Sequence, residues 1–385
     1  MSRGISVTRP WSQTHRPRTA VLGPGAGGPH GFGPPAPSFA EAAPAQDSGV
    51  MGAHRHGHSS SASAPDPEAD AARAALVREI AARGAFTDPA WRTAFAEVPR
   101  HLFVPFFYVH GIRGYERLWG EDPDPERRSR WLRGVYADGA LATRLQDGEL
   151  VSSSSQPSLM ALMLDALDVA DGHTVLEIGT GPGYNAALLA HRLGGPAVTT
   201  VDLDPAITDA ARGHLTAAGY HPAVVTGDGA RGCPGRAPYD RIIATCTLPS
   251  VPRAWPEQCR PGARIVAPLA TGLVALQVGA TAHGPRAEGH FLHTPAYFVP
   301  LRGAYPAAGP LPHLGGLPRR VAGDDLFRFL LTLSAGALDP HEALSLWERE
   351  GRPERERYGV TVGRGRQWAW LDDPRGPYTW PLAVD

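Results

Sequence analysis

The sequence predicts an α/β chain with a doubly wound, Rossmann-like core, on three observations. Val175-Leu176-Glu177-Ile178 closes an apolar run of strand character that ends in the glycine cluster Gly179-Thr180-Gly181-Pro182-Gly183. A helix-compatible run, Asn185 to Leu193, follows at once; strand, glycine turn and helix bring backbone N–H groups up to a nucleotide-like ligand. A second buried strand, Ala197 to Leu203, carries Asp202 near its C-terminal end. That is about 20 residues past the glycines, where an acid in such folds hydrogen-bonds ribose hydroxyls.

Composition bounds the rest. The 385 residues leave room for two domains and a tail. A formal net charge of −1 points to neither nucleic acid nor an anionic membrane as partner. All 37 Lys+Arg positions are arginine; with the abundant Ala, Gly and Pro, this reflects a GC-rich genome rather than a function. Cys233, Cys246 and Cys259 have no close pairing and read as isolated buried thiols of a reducing cytoplasm, with no metal site. No apolar run reaches the roughly 18 residues of a membrane helix, and the first 30 residues lack the apolar core of a signal peptide. The expected location is therefore cytoplasmic.

Taken in order, residues 1–65 are rich in Gly, Pro, Ser, Ala and His and are expected to be a disordered tail; His54, His56 and His58 read as solvated rather than metal-binding. Residues 66–150 form a helical N-terminal region. Asp66-Pro67 and Asp88-Pro89 each start a helix, the first with Leu76, Val77 and Ile80 on one face and the second with Trp91, Phe95 and Val98. Residues 111–134, charged and containing Pro123 and Pro125, read as an inserted surface segment. Residues 151–301 form the nucleotide-binding core. It opens on Ser152-Ser153-Ser154-Ser155-Gln156-Pro157-Ser158, expected to be a polar flexible loop with Ser158 capping the next helix. Beyond Asp202, a helix over Pro205–Ala218, the Gly227-Asp228-Gly229 turn and strands at Tyr239–Thr245, Arg264–Leu269, Leu273–Ala280 and Phe291–Leu301 continue the alternation, implying a mostly parallel sheet. Residues 302–385 add an accessory α+β region, with Leu326, Phe329, Leu330 and Leu333 at helical spacing and an aromatic strand, Gln367 to Leu371.

Val98 to Pro105, Tyr136-Ala137-Asp138, Ser155-Gln156-Pro157, Leu176 to Asn185, Val201-Asp202, Gly227-Asp228-Gly229 and Val251 to Pro268 together resemble the protein-L-isoaspartate O-methyltransferases, in family order over roughly residues 85–300. The resemblance implies a class I S-adenosylmethionine-dependent methyltransferase fold, that cofactor, and a protein or peptide substrate bearing an aspartyl or isoaspartyl carboxylate. It implies that Gly179, Gly181, Asp202 and Asp228 face the cofactor and that Ser155 faces the substrate carboxylate. Glu177, Thr180, Tyr184, Asn185, Leu203 and Gly229 are grouped with the cofactor contacts; Ser153, Ser154, Gln156 and Pro157 are grouped with Ser155. The segment 111–134 and the region 302–385 depart from the compact repair enzymes. This longer layout resembles actinobacterial homologues that act on ribosomally made peptides such as lanthipeptides and graspetides, where a methylated aspartate can close to an aspartimide.

The chemistry asks little of the protein beyond alignment. A carboxylate is ionised at neutral pH, its pKa being about 4, so no general base is needed. A hydroxyl such as that of Ser155 can orient it without a full positive charge that would blunt it. Three readings compete: methylation of a dedicated modified peptide, the same chemistry in general isoaspartyl repair, and a peptide-binding module with a vestigial cofactor fold. The glycine turn alone also resembles a nicotinamide-dinucleotide fingerprint; Gly227-Asp228-Gly229 and the serine stretch favour S-adenosylmethionine.

Overall fold

Five of the described helices start on the same local device, an Asp-Pro pair. The aspartates are Asp66, Asp88, Asp124, Asp204 and Asp339, and each takes the N-cap with proline in the first turn. Proline has no N–H to leave unpaired there, and the carboxylate accepts orphan N–H groups of the first turn. Asp339 adds a reciprocal bond from Glu342, a complete capping box. The computed structural model describes residues 66–111, 114–303, 314, 316–334, 336–363 and 365–383; the expected tail and its histidines lie outside them.

The N-terminal region runs α1 (Pro67–Ala82), α2 (Pro89–Glu97), α3 (Arg100–Phe103), β1 (Phe106–Gly111), β2 (Gly114–Trp119), α4 (Pro125–Val135), β3 (Leu141–Gln146) and β4 (Glu149–Ser154). Its strands form an antiparallel sheet in the order β2-β1-β3-β4. The segment expected as a surface insertion is built into this region: Leu118 and Leu132 are buried there with Phe107. Its charges gave the wrong impression because they pair with one another, Arg127 engaging Glu116 and Asp122, while the apolar residues between them face inward. The serine run is also not a loop. Ser152, Ser153 and Ser154 belong to β4, paired with Arg144, Ala142 and Leu141 of β3. Pairing with a distant strand supplies the order that local sequence does not.

The core continues through α5 (Pro157–Leu167), β5 (Val175–Ile178), α6 (Tyr184–Leu193), β6 (Val198–Asp202), α7 (Pro205–Ala217), β7 (Ala223–Thr226), β8 (Tyr239–Ala244), α8 (Ala254–Glu257), β9 (Cys259–Leu269), β10 (Gly272–Thr281) and β11 (Gly284–Pro295). The C-terminal region adds α9 (Arg319–Ala322), α10 (Asp325–Leu333), α11 (Pro340–Arg349), β12 (Tyr358–Gly363), β13 (Arg366–Leu371) and β14 (Thr379–Pro381). All strands from β5 onward join one sheet, β14-β13-β12-β11-β10-β9-β8-β5-β6-β7. The five strands from β9 to β7 pair in parallel, and those from β10 to β14 pair antiparallel. The sheet is thus mixed, not mostly parallel as expected.

Side chains alternate between two cores across this sheet. Val175, Ile243, Val266 and Leu273 face the layer that holds α1, α2, α5 and α6. Their neighbours Leu176, Ile242, Ile265 and Val274 face the layer shared with α10, α11 and the C-terminal strands. Strands covered on both faces read as continuous apolar runs, which is why they were visible in the sequence. Two boundaries differ. β9 begins at Cys259, so the expected turn Arg260-Pro261-Gly262 lies within it, Gly262 taking φ +87°. β11 ends at Pro295, and Phe298 to Leu301, expected as strand, instead crosses over Thr247, whose N–H donates to Val299 O at 2.9 Å and whose carbonyl accepts from Leu301 N–H at 2.9 Å.

The C-terminal region shares the core of the nucleotide-binding part. Phe329 of α10 is fully buried, with ring centroids 4.9 Å from Phe291 of β11 and 5.3 Å from Tyr358 of β12. Phe329→Ala is expected to cost about 3–5 kcal/mol of stability. In a denaturant titration followed by tryptophan fluorescence, it should lower the midpoint of a single transition; separate transitions would show that the C-terminal region folds on its own.

Candidate functional site

The parallel strands reverse their order of addition at β5, whose neighbours are β6 and β8. Such a switch point leaves a crevice beyond the strand C-termini. Gly179 turns the chain there with φ +96°, and a Cβ on it would stand 2.7 Å from Thr245 Oγ1 at the end of β8. Only glycine fits both the conformation and the space. Gly181 follows at φ +50°; a Cβ there would stand 3.3 Å from the Ser153 carbonyl, so the glycine turn and β4 meet edge to edge. The chain then enters α6, its first turn directed at the crevice.

A cleft runs from Ser152 and Ser153 past Gly179 and Gly181 to Asp202, Leu203 and Gly229, bounded on its far side by Val299 to Arg302. A second lobe shares Ser153, Gly179, Gly181 and Thr245 with it and extends to Ser154, Ser155, Glu177, Thr180, Tyr184 and Asn185.

Not every candidate residue offers its side chain to this cleft. Asp202 Oδ2 accepts the Gly181 N–H at 3.1 Å, while Oδ1 faces the Arg302 guanidinium at 3.5 Å. The Asp204 N–H also donates to Oδ1 at 3.4 Å, and a carboxylate has about four lone-pair sites for these three partners and one more. The Thr180 hydroxyl is spent on Thr200 at 2.8 Å inside the fold. The Tyr184 ring packs edge-on to Phe95 and under Arg100, and burial raises its pKa above the usual phenol range. Asp228 caps the short turn Gly229–Arg231 through Ala230 N–H at 3.0 Å and stands against Gly303; it is Gly229 that lines the cleft.

Glu177 is fully buried beside the second lobe. Its Oε1 accepts from Asn185 Nδ2 at 2.7 Å, yet Glu177 Oε2 and Asn185 Oδ1 have no partner among the described residues although both are buried. Two orphan acceptors of this kind call for a donor that a ligand would bring. Burial pushes the Glu177 carboxyl up to about 7, against hydrogen bonds from Thr200 and Asn185.

On the serine side, exposure alternates: Ser152 and Ser154 are buried, while Ser153 and Ser155 are half-buried. The hydroxyls of Ser152 and Ser154 are taken, by Thr143 at 3.2 Å and Arg100 Nη2 at 3.3 Å. Ser155 makes no hydrogen bond through its hydroxyl among the described residues, while its carbonyl accepts from Arg100 Nη2 at 3.0 Å. Gln156 and Pro157, grouped with the substrate contacts in the sequence, lie outside the cleft lining. Gln156 is extended (φ −59°, ψ 126°), as expected before proline, and is the N-cap of α5. Its amide donates to Asp138 Oδ2 at 3.2 Å and to the Ser158 hydroxyl at 3.1 Å. Pro157 is buried at the first position of α5. Ser158 therefore does not cap the helix; its own N–H donates to Asp138 Oδ1 at 2.8 Å.

The sequence reading missed Thr245, Cys246 and the crossing segment Val299 to Arg302. The position of Thr245 at the end of a core strand was an available signal. The crossing segment carried none, because its place depends on pairing with Thr247. Cys246 is buried and its thiol is pushed up to about 12 by desolvation, so it is no nucleophile at neutral pH. All three cysteines are free, and no metal-binding cluster of His, Cys, Asp or Glu occurs among the described residues. None of the described helices is long and apolar enough to cross a membrane.

Comparison with known proteins agrees with this geometry. The model of the family protein-L-isoaspartate(D-aspartate) O-methyltransferase matches residues 128–304. Protein-L-isoaspartate O-methyltransferase of Azorhizobium caulinodans is 40% identical over 200 residues, which is 52% of this chain and 78% of that protein. The protein of the same name from Methanococcoides burtonii is 34% identical over 238 residues, 60% of this chain and 99% of its own length. The solved structure of a protein-L-isoaspartate O-methyltransferase superposes with a TM-score of 0.52 at 23% identity, covering 81% of this chain and 99% of its own; it shows the likeness of the fold. The fold is that of a class I S-adenosylmethionine-dependent methyltransferase. Residues 1–301 alone are too few to make up that 81%, so the likeness extends into the C-terminal region.

The raised carboxyl of Glu177 has a measurable consequence. The native state binds its proton more tightly than the unfolded chain between about 4.5 and about 7. The stabilisation is present below that window and is lost as pH rises through about 7. Relative to Glu177→Gln, which cannot titrate, the ligand-free protein should lose up to about 3 kcal/mol of unfolding free energy across the window. Urea titrations of both proteins over this range check it; a pH-independent difference would contradict the assignment.

Proposed function

This chain belongs to the protein-L-isoaspartate O-methyltransferase family, and on that premise we propose that it methylates an aspartyl or isoaspartyl carboxylate of a polypeptide. It is an S-adenosylmethionine-dependent carboxyl O-methyltransferase. The observation that carries the reading is the single cleft in which the Ser155 backbone is anchored, its hydroxyl is unengaged, and the glycine turn lies alongside.

The residues present fit the cofactor. Gly179 and Gly181 leave room for close approach, Asp202 is an acceptor for a ribose diol, and the orphan oxygens of Glu177 and Asn185 are acceptors for an ammonium group. A nicotinamide dinucleotide has no ammonium for them. When bound, S-adenosylmethionine supplies a methyl group on a positively charged sulfur. An ammonium beside Glu177 favours its ionised form, offsetting the burial that otherwise raises it.

The protein's part is to hold the acceptor. Ser155 donates its hydroxyl to one carboxylate oxygen and leaves the other directed at the methyl group, with Ser153 and Ser154 completing the wall. No side chain need take a proton, since the acceptor is already ionised. Alignment of this kind supplies several kcal/mol, up to about 7–11 in favourable cases. Neutralising the carboxylate also favours a site from which water is excluded.

For the substrate we propose an aspartate in a modified ribosomal peptide. The methyl ester is then open to attack by the next backbone nitrogen, whose proton leaves with the methoxy group as methanol, closing an aspartimide. The support is the chain's length beyond the 200 and 238 residues that align with the relatives, in a layout that resembles homologues acting on such peptides. General repair of isoaspartyl proteins is the second reading, favoured by the 40% identity to a protein of that name and by a solved relative that shares part of the C-terminal region.

Single-turnover methyl transfer with saturating S-adenosylmethionine tests both levels. A cyclised aspartate-containing precursor should react much faster than a short linear isoaspartyl peptide; equal specificity constants would select repair. Ser155→Ala should slow transfer about 10- to 100-fold, the worth of a hydrogen bond to a charged group, with cofactor affinity almost unchanged. Parental rates for alanine variants of Ser153, Ser154 and Ser155 alike would remove β4 from the chemistry.

A further inference from the structure

The hairpin of β1 and β2 presents a face that the methyl-transfer chemistry does not use. Its register pairs Phe106 with Trp119, Tyr108 with Arg117 and His110 with Tyr115. Directly opposed residues share a face, as do residues two apart, so these six side chains form one ladder. The opposite face carries Phe107 and Leu118, each 3% exposed, and packs on the N-terminal core. The ladder therefore points away from that core, with Arg117 and His110 exposed and the other four side chains half-buried.

Arg117 stands in the middle of it. Its guanidinium carbon lies 5.1 Å from the Phe106 ring and 5.1 Å from the Trp119 ring. It makes no ion pair among the described residues, whereas Arg127, on the other side, engages both Glu116 and Asp122. A guanidinium held against two rings has lost much of its rotamer freedom beforehand and keeps its planar donor fork for a carboxylate.

The ladder is continuous with the reaction site. Tyr108 is registered with Ala142 of β3, and Ala142 with Ser153 of β4, which lines both lobes of the cleft. Three strand spacings of about 4.8 Å separate Ser153 from Arg117, about 14 Å in all. An extended peptide covers that with about four residues.

We propose that this ladder docks the flank of the polypeptide substrate, and that Arg117 selects a carboxylate about four residues from the methyl acceptor. The proposal rests on the functional reading above. Rings alternating with one cation suit an acidic, aromatic or proline-containing peptide strand. They do not suit nucleic acid, which is held by arrays of cations that neutralise successive phosphates.

The test uses the full chain and three isoaspartyl peptides. One carries a glutamate about four residues from the acceptor on each side, one has alanines at those places, and one ends about two residues from the acceptor. The wild-type protein should show about tenfold higher kcat/KM for the glutamate peptide than for the alanine peptide, through KM. Arg117→Gln should abolish that preference and leave the short peptide's kcat/KM unchanged. Arg117→Lys, which keeps the charge but not the planar fork, should restore only part of it. Fluorescence anisotropy of the labelled glutamate peptide gives a readout that needs no turnover. Arg117-dependent binding without methylation of any peptide would sustain the docking face and overturn the functional reading. Turnover of the short peptide with no glutamate preference, or with a preference that survives Arg117→Gln, overturns the docking face. So does tighter Arg117-dependent binding of a single-stranded oligonucleotide than of the glutamate peptide.

Discussion

The site depends on one buried cation. Arg100 is fully buried, and its hydrogen bonds among the described residues go to carbonyls and the Ser154 hydroxyl, none to a carboxylate. Its Nη1 donates to the carbonyls of Val135 and Ala137 at 2.8 and 3.2 Å, and its Nη2 to those of Gly139 and Ser155 at 3.2 and 3.0 Å. Desolvation pushes its pKa down to about 10, which leaves it charged at neutral pH. Its Nε has no partner among the described residues, but the Nη1 and Nη2 donors are satisfied, which offsets the burial in part, and they bind three separate chain segments into one geometry. Asp138 completes the cluster by accepting from Gln156 and from the Ser158 N–H, fixing the entry to α5. The Val-Pro-Arg, Tyr-Ala-Asp and Ser-Gln-Pro segments, far apart in sequence, thus form one hydrogen-bonded unit whose product is the position of Ser155.

This unit meets the nucleotide crevice edge to edge. The carbonyl of Ser153 lies where a side chain on Gly181 would project, and Thr245 lies where one on Gly179 would. The cofactor side and the substrate side are therefore set by different parts of the chain, β5, β6 and β8 for one and α3, β3 and β4 for the other. The segment Val299 to Arg302 closes the crevice and brings a guanidinium to Asp202. Binding strength on the cofactor side and alignment on the acceptor side can accordingly be altered separately.

What the sequence made legible was mostly local. Asp-Pro helix starts, the glycine turn and the buried strands each carry their cause within a few residues. The strand over Ser152–Ser154 was not legible, because serine has no strand preference and its order comes from pairing with Leu141–Arg144. Residues 111–134, which hold β2 and most of α4, were read as inserted surface for their many charges and for Pro123 and Pro125, although charged neighbours such as Glu116 and Arg117 point to opposite faces of one strand. The candidate contacts at Gln156 and Pro157 share a motif with Ser155 but turn their side chains toward Asp138 and the helix interior. Among the candidate cofactor residues, proximity in sequence did not separate Thr180, whose hydroxyl is spent in the sheet, from Glu177, whose second oxygen is free. Partners distant in the chain decide such questions.

The account stands most directly on Arg100. Arg100→Met keeps much of the side chain's volume and removes every donor that holds the Ser155 carbonyl. Titration calorimetry with S-adenosylmethionine and single-turnover transfer to an isoaspartyl peptide should separate in this variant. The account predicts cofactor affinity within about threefold of the parent and a transfer rate lower by about 100-fold or more, since about 1.4 kcal/mol is a factor of ten and more than one charge-assisted bond is lost. Parental transfer rates in a folded Arg100→Met protein, or a loss confined to cofactor binding, would contradict it.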